Sequence, residues 1–335
     1  MSSTDTHRLG MRSTLKNLDQ GYIVALVLLV LGSLCALLVG GFASAGNLLD
    51  IVRSSATLGI LAIGGMIVVV ARGLDLSVIA IMAVSSACAV QFVAAGHNEV
   101  VGLSLALVIA AALGLFNGLL VAYVEIPALF VTLATTLLFF GIFRLTYLTD
   151  EIKAVPAGAE VMRWLGRDDI LGVPNPAVLF ALVAGGAAIL LSRNLGAYLY
   201  AIGDNPEAAR LAGVPLRPMV VGTYVVSAVL GFLGGINLVA VAGTYDLRTA
   251  AGGALLYDVI AVIVIGGVSL SGGRGTVGGV ACAAILIGVI ANVMTLLDFN
   301  VIQQSLAKSV IVLLAIVLDS ALHPRDEETA RVGDL

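Results

Sequence analysis

Ala201-Ile202-Gly203-Asp204-Asn205-Pro206-Glu207-Ala208-Ala209-Arg210-Leu211-Ala212-Gly213-Val214-Pro215 is a short polar island in a very apolar chain. Asn205 is a residue type that accepts from the free N–H groups at a helix start. Pro206 suits the first helical position because it has no N–H to leave unpaired, and Glu207 favours the positive end of the helix dipole. Gly213 followed by Pro215 then stops the helix about two turns later. The stretch predicts a short, self-capped helix with water on at least one side. On both flanks the sequence is long and apolar enough to sit in a bilayer, so this helix is expected to be a surface that a membrane bundle presents to an aqueous compartment. A loop helix that merely satisfies its own backbone is the competing reading of the same residues.

Of the 335 residues, 60% are hydrophobic and 11% charged, with a mean hydropathy of +1.09. Soluble domains carry roughly 25% charged residues, so the composition is that of a polytopic membrane protein embedded in a lipid bilayer. Lys16, Lys153 and Lys308 are the three lysines of the chain. None follows the GxxxxG that would wrap a phosphate, which excludes a Walker A loop. Cys35, Cys88 and Cys282 lie in apolar runs without CxxC spacing and indicate neither a disulfide framework nor a metal site. A net charge of -4 and a pI near 5.3 imply no nucleic-acid partner.

Residues 1–20 are polar and lead into an apolar run at 22–39 that exceeds the signal-peptide core of 7–15 residues and matches the ~20 that cross a bilayer. Ala43-Ser44-Ala45 resembles a cleavage site, but the length favours a retained first span. Further spans are expected at 56–71, 76–95, 100–124, 127–148, 176–192, 219–243, 255–271, 276–297 and 301–319, which makes about ten transmembrane helices in an all-α fold. With the N-terminus inside, the inner segments hold Arg8, Arg12, Lys16, Arg72, Arg193, Arg210, Arg217, Arg274, Arg325 and Arg331. The outer segments hold Arg53, Lys153, Arg163, Arg167 and Arg248. Ten inner cations against five outer ones support that orientation and put the central helix in the cytoplasm. The expected organisation is a cytoplasmic segment at 1–20, one membrane domain at 21–319 interrupted by a cytoplasmic coupling segment at 193–218, and a cytoplasmic tail at 320–335. Five spans on each side of 193–218 would give two halves of opposite orientation if they are repeats, since an odd number of crossings inverts the second copy. The outer segment at 149–175, with Trp164 and Pro174-Asn175-Pro176, reads as an external cap or gate.

Polar residues inside the spans are the candidates for a pathway or gate. Asp75, in Arg72-Gly73-Leu74-Asp75-Leu76-Ser77, can cap the third span with Arg72 balancing its charge, or can mark a broken helix end that lines a cavity. Asn117, Asn237 and Asn292 lie in apolar spans, where an amide must be hydrogen-bonded. Interhelical glue and a pathway contact are the two readings of each. Gly114, Gly118, Gly231, Gly234 and Gly235 allow close helix approach. The glycine-rich turn from Ser269 to Gly279 has no strand before it and no lysine after it, so a tight turn is expected there and not a phosphate loop.

A membrane serine protease needs a histidine at membrane depth, whereas His7 and His323 lie outside the spans and His97 lies in an outer loop. No catalytic residue and no metal ligand set is indicated. An ion-coupled secondary transporter should carry ionisable groups in mid-span, but Glu125, Asp258, Asp298 and Asp319 fall near expected span ends, which makes that class the alternative. A channel would need a filter motif that is absent. A permease driven by a separate ATPase explains both the missing P-loop and the cytoplasmic helix.

Four stretches, in order and spacing, carry a resemblance over nearly the whole chain: Gly73-Leu74-Asp75-Leu76-Ser77-Val78, Ile126-Pro127-Ala128-Leu129-Phe130-Val131-Thr132-Leu133-Ala134-Thr135, residues 201–214, and Ile260-Ala261-Val262-Ile263-Val264-Ile265-Gly266-Gly267-Val268-Ser269-Leu270-Ser271-Gly272-Gly273-Arg274-Gly275-Thr276. The chain resembles the membrane permease subunits of ribose/galactose-type bacterial ABC importers, which take up monosaccharides. The family pattern has glycine where Arg72 and Ile79 stand, and often glutamate where Leu256 stands. The resemblance implies that Asn205, Pro206, Glu207, Ala208, Ala209, Arg210, Leu211 and Gly213 form the coupling helix that sits in a groove of the ATPase. It also implies an ATPase of tandem nucleotide-binding domains that holds ATP and magnesium while this chain binds no cofactor. The other implied partners are a second permease chain, copy or paralogue, and a periplasmic sugar-binding protein, all at the bacterial inner membrane with both termini cytoplasmic.

Overall fold

The computed structural model describes residues 20–148, 150–248 and 253–322. The terminal segments expected at 1–20 and 320–335 lie outside these residues apart from their inner edges, as do Arg8, Arg12, Lys16, Arg325 and Arg331. In chain order the helices and strands are α1 Gln20–Leu38, α2 Ala45–Val70, α3 Val78–Ala94, α4 Glu99–Ala122, α5 Ala128–Thr146, β1 Ile152–Ala154, α6 Glu160–Arg167, β2 Asp169–Ile170, β3 Val173–Pro174 and α7 Asn175–Ser192. They continue with α8 Asn194–Asp204, α9 Pro206–Leu211, α10 Leu216–Ala242, β4 Thr244–Asp246, α11 Ala254–Ile265, α12 Val277–Leu296 and α13 Val301–Leu322. The protein is an all-α polytopic membrane protein with two very small strand pairs. Among the described residues α1, α2, α4, α5, α7, α10 and α12 are long and apolar enough to cross a membrane, while α3 and α11 are shorter apolar helices.

Local chemistry sets the boundaries. Ser44 accepts from Asn47 N and starts α2 at Ala45, eleven residues before the expected span at 56–71. Asp50 and Arg53 ride on the added turns as an i,i+3 pair at 3.4 Å, which is how a helix carries charge at its outer end. Asn98 caps α4 through Val100 N and Val101 N, and Thr276 caps α12 through Gly279 N. At the other boundary α11 stops at Ile265, short of the expected 271, because Gly267 turns the chain with φ 83°.

At the centre, α10 packs against α2, α3 and α4, and α2 packs against α7, α11 and α12. Lipid is as apolar as the side chains, so this association rests on close packing more than on water exclusion. The glycines provide it: a Cβ at Gly114 would stand 2.6 Å from the Tyr224 carbonyl, one at Gly118 2.8 Å from the Val221 Cα, and one at Gly235 2.6 Å from the Met82 carbonyl. Ile60, Leu61, Ile63 and Met66 of α2 are fully buried in the core this creates.

β1 pairs antiparallel with β4, Lys153 opposite Tyr245, which sequence patterning does not reveal because each strand has only three residues. β2 and β3 form a second short antiparallel pair.

Candidate functional site

The island quoted first folds as a helix pair. α8 precedes the expected short helix, and Asn205 then breaks the path with extended backbone at φ -150° and ψ 101°. Its side-chain oxygen accepts from Ala208 N at 3.0 Å, so α9 starts where the capping chemistry places it. Gly213 takes φ 82°, and Val214 N returns to Ala209 O at 3.0 Å, closing the helix end. Ala209 is buried and anchors the turn, whereas Ala208 and Arg210 are exposed and Leu211 is 89% exposed. Arg210 and Glu207 stand 3.8 Å apart on the open side. With both ends in solvent that ion pair adds little stability. Leu211 is thus left open on a six-residue helix, beside a small alanine and a flanking charge pair.

What holds this helix is a floor of backbone. At Gly203, a Cβ would stand 1.9 Å from the Val70 carbonyl and 2.2 Å from Gly273 N, so α8 lies directly on the end of α2 and on the glycine turn before α12. Gly273 N donates to Val70 O at 3.0 Å, and Arg72 Nε donates to Ser271 O at 3.2 Å. Tyr200 donates to Gly275 O at 2.8 Å, and burial pushes its phenol above the usual range. Glu125 and Arg217 join the ends of α4 and α10 at 2.7 Å, with the guanidinium 5.5 Å from the Tyr123 ring. Arg72, Arg217 and the helix pair α8–α9 thus share one face of the bundle. Arg72 does not balance Asp75, as its place in sequence suggested, because its positive φ of 67° turns it to the glycine loop instead.

Between α2 and α3 the chain runs non-helically inside the bundle. Backbone groups there cannot turn to water, so side chains must satisfy them. Leu74 O accepts from Thr132 and from Tyr224, both at 3.4 Å, and Leu76 O accepts from Thr136 at 3.3 Å. Asp75 Oδ1 accepts from Ser77 N at 3.0 Å and Ser77 Oγ at 2.6 Å, and its Oδ2 accepts from Ser227 Oγ at 2.8 Å. Asn117 Nδ2 donates to Ser77 Oγ at 2.7 Å, so Asp75 and Asn117 belong to one buried network tying α3, α4 and α10. The other two candidates lie elsewhere: Asn237 Nδ2 donates to Thr57 Oγ1 at 2.9 Å, and Asn292 Nδ2 donates to Asn47 Oδ1 at 2.7 Å while Asn47 Nδ2 donates back to Asn292 Oδ1 at 3.0 Å.

On the opposite face the segment at 150–175 is clamped down. Glu99 Oε2 and Oε1 accept from Val161 N at 2.8 Å and Met162 N at 2.9 Å, capping α6 from another helix. Lys153 Nζ donates to Gln91 at 2.7 Å and ties the β1–β4 pair to α3. Sequence spacing missed one further pair. Lys308 of α13 donates to Asp258 of α11 at 2.7 Å, each 22% exposed. The lone lysine inside the last span was the available signal, because an uncompensated charge there requires a partner. No cluster of three or more His, Cys, Asp or Glu side chains comes together among the described residues.

The chain is similar to known permeases over most of its length. It is 31% identical over 308 residues to the ribose import permease protein of Escherichia coli (strain K12), covering 90% of this chain and 94% of that protein. It is 32% identical to the ribose import permease protein of Bacillus subtilis (strain 168), covering 87% and 90%. The L-arabinose ABC transporter permease protein of Azospirillum brasilense matches at 31%, covering 88% and 86%. No solved structure matches the chain. The family described as branched-chain amino acid transport system / permease component matches residues 47–318, and the chain belongs to this permease family.

Proposed function

We propose that the chain is the membrane permease subunit of an ATP-driven ABC importer that carries a monosaccharide into the cytoplasm. It is not an enzyme, and ATP hydrolysis occurs on a separate ATPase subunit. The observation that carries the reading is the exposed α9, a self-capped helix with an open leucine fixed on a backbone floor, in a chain whose relatives are named for ribose, L-arabinose and fructose transport. The family description names amino acids, while these relatives are named for sugars, and the sugar branch is the better guide at 30–31% identity over nearly full length.

In this reading α9, with Asn205, Pro206, Glu207, Ala208, Ala209, Arg210, Leu211 and Gly213, docks in a groove of an ATPase of tandem nucleotide-binding domains, where ATP and magnesium sit. A second permease chain and a periplasmic sugar-binding protein complete the assembly in the bacterial inner membrane. ATP binding closes the ATPase, α9 moves with it, and the paired permeases exchange which side of the path is open. Asp75, Asn117, Asn237 and Asn292 act at the joints that this movement flexes.

Ten crossings in two inverted halves, with both termini cytoplasmic, suit the same geometry. α2 and α10, of 26 and 27 residues, are about 40 Å long, and a short apolar helix comes after each in the chain, α3 after α2 and α11 after α10. A long helix followed by an interrupted short one at corresponding positions is the signature of an inverted-repeat transporter. Domain limits at 21–319, with the coupling segment at 193–218, follow from the same reading.

The test is uptake of labelled D-ribose, L-arabinose and D-fructose into proteoliposomes holding the whole complex. Uptake of at least one sugar should stop without ATP and persist when proton and sodium gradients are collapsed. Uptake by this chain alone, driven by an ion gradient, would establish the ion-coupled class instead.

A further inference from the structure

On the face of the bundle that carries α8 and α9, a groove of about 140 Å³ opens between Leu190 of α7, Leu195 and Leu199 of α8, and Met219 and Val226 of α10, over the buried Ile67 of α2. Ile67, Leu190 and Met219 belong to the turns nearest this face, and Val226 lies further along α10, which starts at Leu216. The groove therefore runs about 15 Å along α10, half of the ~30 Å hydrocarbon layer. Thr223 is the one polar side chain lining it, and its hydroxyl already donates to Val220 O at 2.7 Å. Gly222 forms part of the wall, and a Cβ there would meet nothing within 4 Å. At Gly231, Gly234 and Gly235 of the same helix a Cβ would stand within 3.3 Å of a neighbouring helix. Gly222 weakens the helix without gaining such a contact, so packing within the chain does not account for it. It keeps the groove open. Arg193 joins α7 to α8 between Leu190 and Leu195, so its exposed side chain starts at the mouth of the groove. Arg210 is paired with Glu207 and Arg217 with Glu125, whereas Arg193 has no ion-pair partner among the described residues. The acid of its own helix, Asp204, lies at the far end of α8. Tyr198, one turn along from Leu195, is 39% exposed, as an aromatic ring at a membrane–water boundary is.

We propose that this groove is a binding site for an anionic phospholipid, with one acyl chain between α7, α8 and α10 and the headgroup phosphate on Arg193. The inference goes beyond the import reading and takes from it only the orientation that makes this the cytoplasmic leaflet. An apolar recess one leaflet deep, open at the end where an unpaired guanidinium stands, matches a phospholipid in both of its parts. The guanidinium donates two parallel hydrogen bonds to phosphate oxygens, and the acyl chain fills the space that Gly222 leaves free. A free cation with no acid beside it favours a headgroup of net negative charge. The bound lipid acts on α8. Leu195 and Leu199 line the groove near one end of that helix, and Gly203 rests on the Val70 carbonyl and the glycine turn near the other. A chain seated under the first end braces the helix that leads directly into α9.

The experiment is native mass spectrometry of the full-length protein with its co-purifying subunits, titrated with dioleoylphosphatidylglycerol and, separately, dioleoylphosphatidylcholine. The wild type should retain phosphatidylglycerol in preference to phosphatidylcholine. Arg193→Gln should weaken that retention about fivefold, as for one basic residue removed from an anionic lipid surface. Gly222→Leu, which puts a side chain into the groove where nothing else stands, should abolish it. Both positions are exposed, so the melting temperature of each variant should stay at the wild-type value. Hydrogen exchange of α8 should slow on addition of phosphatidylglycerol to the wild type and not to Gly222→Leu. Equal retention by the wild type and both variants would overturn the site. So would loss in Arg193→Gln with full retention in Gly222→Leu, which would leave a surface phosphate contact without the groove. Displacement of the lipid by glycerol 3-phosphate would make it a site for a free phosphate ester instead. If Gly222→Leu releases a second permease chain and leaves lipid retention unchanged, the groove is a contact between chains and the lipid site falls. Unchanged exchange of α8 on lipid binding would overturn the bracing of that helix. None of these readouts uses transport, so they stand or fall independently of the sugar-import reading.

Discussion

A buried carboxylate can hold an irregular segment only if enough donors converge on it, and Asp75 has three of them from two side chains and one backbone amide. Replacing it by alanine leaves Ser77 Oγ, Ser227 Oγ and Ser77 N with no acceptor in a site that water does not reach. At about 1–3 kcal/mol for each orphaned buried group, Asp75→Ala should lower the melting temperature of the detergent-purified protein well below that of Ser227→Ala, which removes a single donor. Equal melting of the two variants and the wild type would show that the segment is held by the threonine and tyrosine bonds to its carbonyls alone. Glu99 offers a second residue-scale test, because its two oxygens cap a helix on a different element. Glu99→Ala should expose the 149–175 segment to added protease while the spans stay protected, since hydrogen bonds to a charged group contribute about 1.5–3 kcal/mol each. Unchanged cleavage would assign the clamp to Gly166, where a Cβ would meet the Ala240 carbonyl.

For a helix of six residues, stability comes from its caps and its floor, so the outward face is free to be chosen by a partner. Ala208→Trp or Arg210→Glu should leave membrane expression and melting unchanged. Either change should weaken ATPase capture by roughly ten- to a hundredfold, as expected for about 1–3 kcal/mol lost at an interface, with sugar uptake falling in step. Pull-down of the ATPase alongside uptake reads both effects, and normal capture with normal uptake would return α9 to a self-capped loop. This element was legible in sequence because Asn205, Pro206, Gly213 and Pro215 are local signals that act on their own backbone. α8 was not, because Leu195, Tyr198 and Leu199 look like the end of the preceding span. Its separation rests on Gly196, where a Cβ would meet the Leu191 carbonyl. The apolar runs were legible for the same local reason, whereas the β1–β4 pair, the Asp75 network and the Lys308 partner depend on residues from 40 to more than 150 positions apart and become visible only in the fold.

Across the whole molecule, long-range contacts fix which ends of the helices share a face, and this constrains topology beyond what helix length decides. Val70, Gly203 and Gly273 touch, so an even number of crossings separates each from the others. Ala154 pairs with Thr244, and Lys153 reaches Gln91 at 2.7 Å, so those positions share a face too. α10, about 40 Å long, runs from the first face to the second and is longer than the ~30 Å hydrocarbon layer. The chain must then cross fully between Asp246 and Gly273, although the helix available, α11, is only about 18 Å long. The same holds between Val70 and Gln91, where α3 supplies about 21 Å and the hydroxyl-bonded segment before it supplies the rest. We propose that the short helices count as crossings here, with the irregular segment before α3 kept inside the protein, where side chains satisfy its backbone. Reporter fusions after Arg193, after Arg274 and after Arg331 should accordingly report the cytoplasm, and fusions after Lys153 and after Asp246 should report the outer compartment. A cytoplasmic signal after Asp246, with Arg193 also cytoplasmic, would mean that α10 does not cross, and the inverted arrangement of the two halves would fall with it.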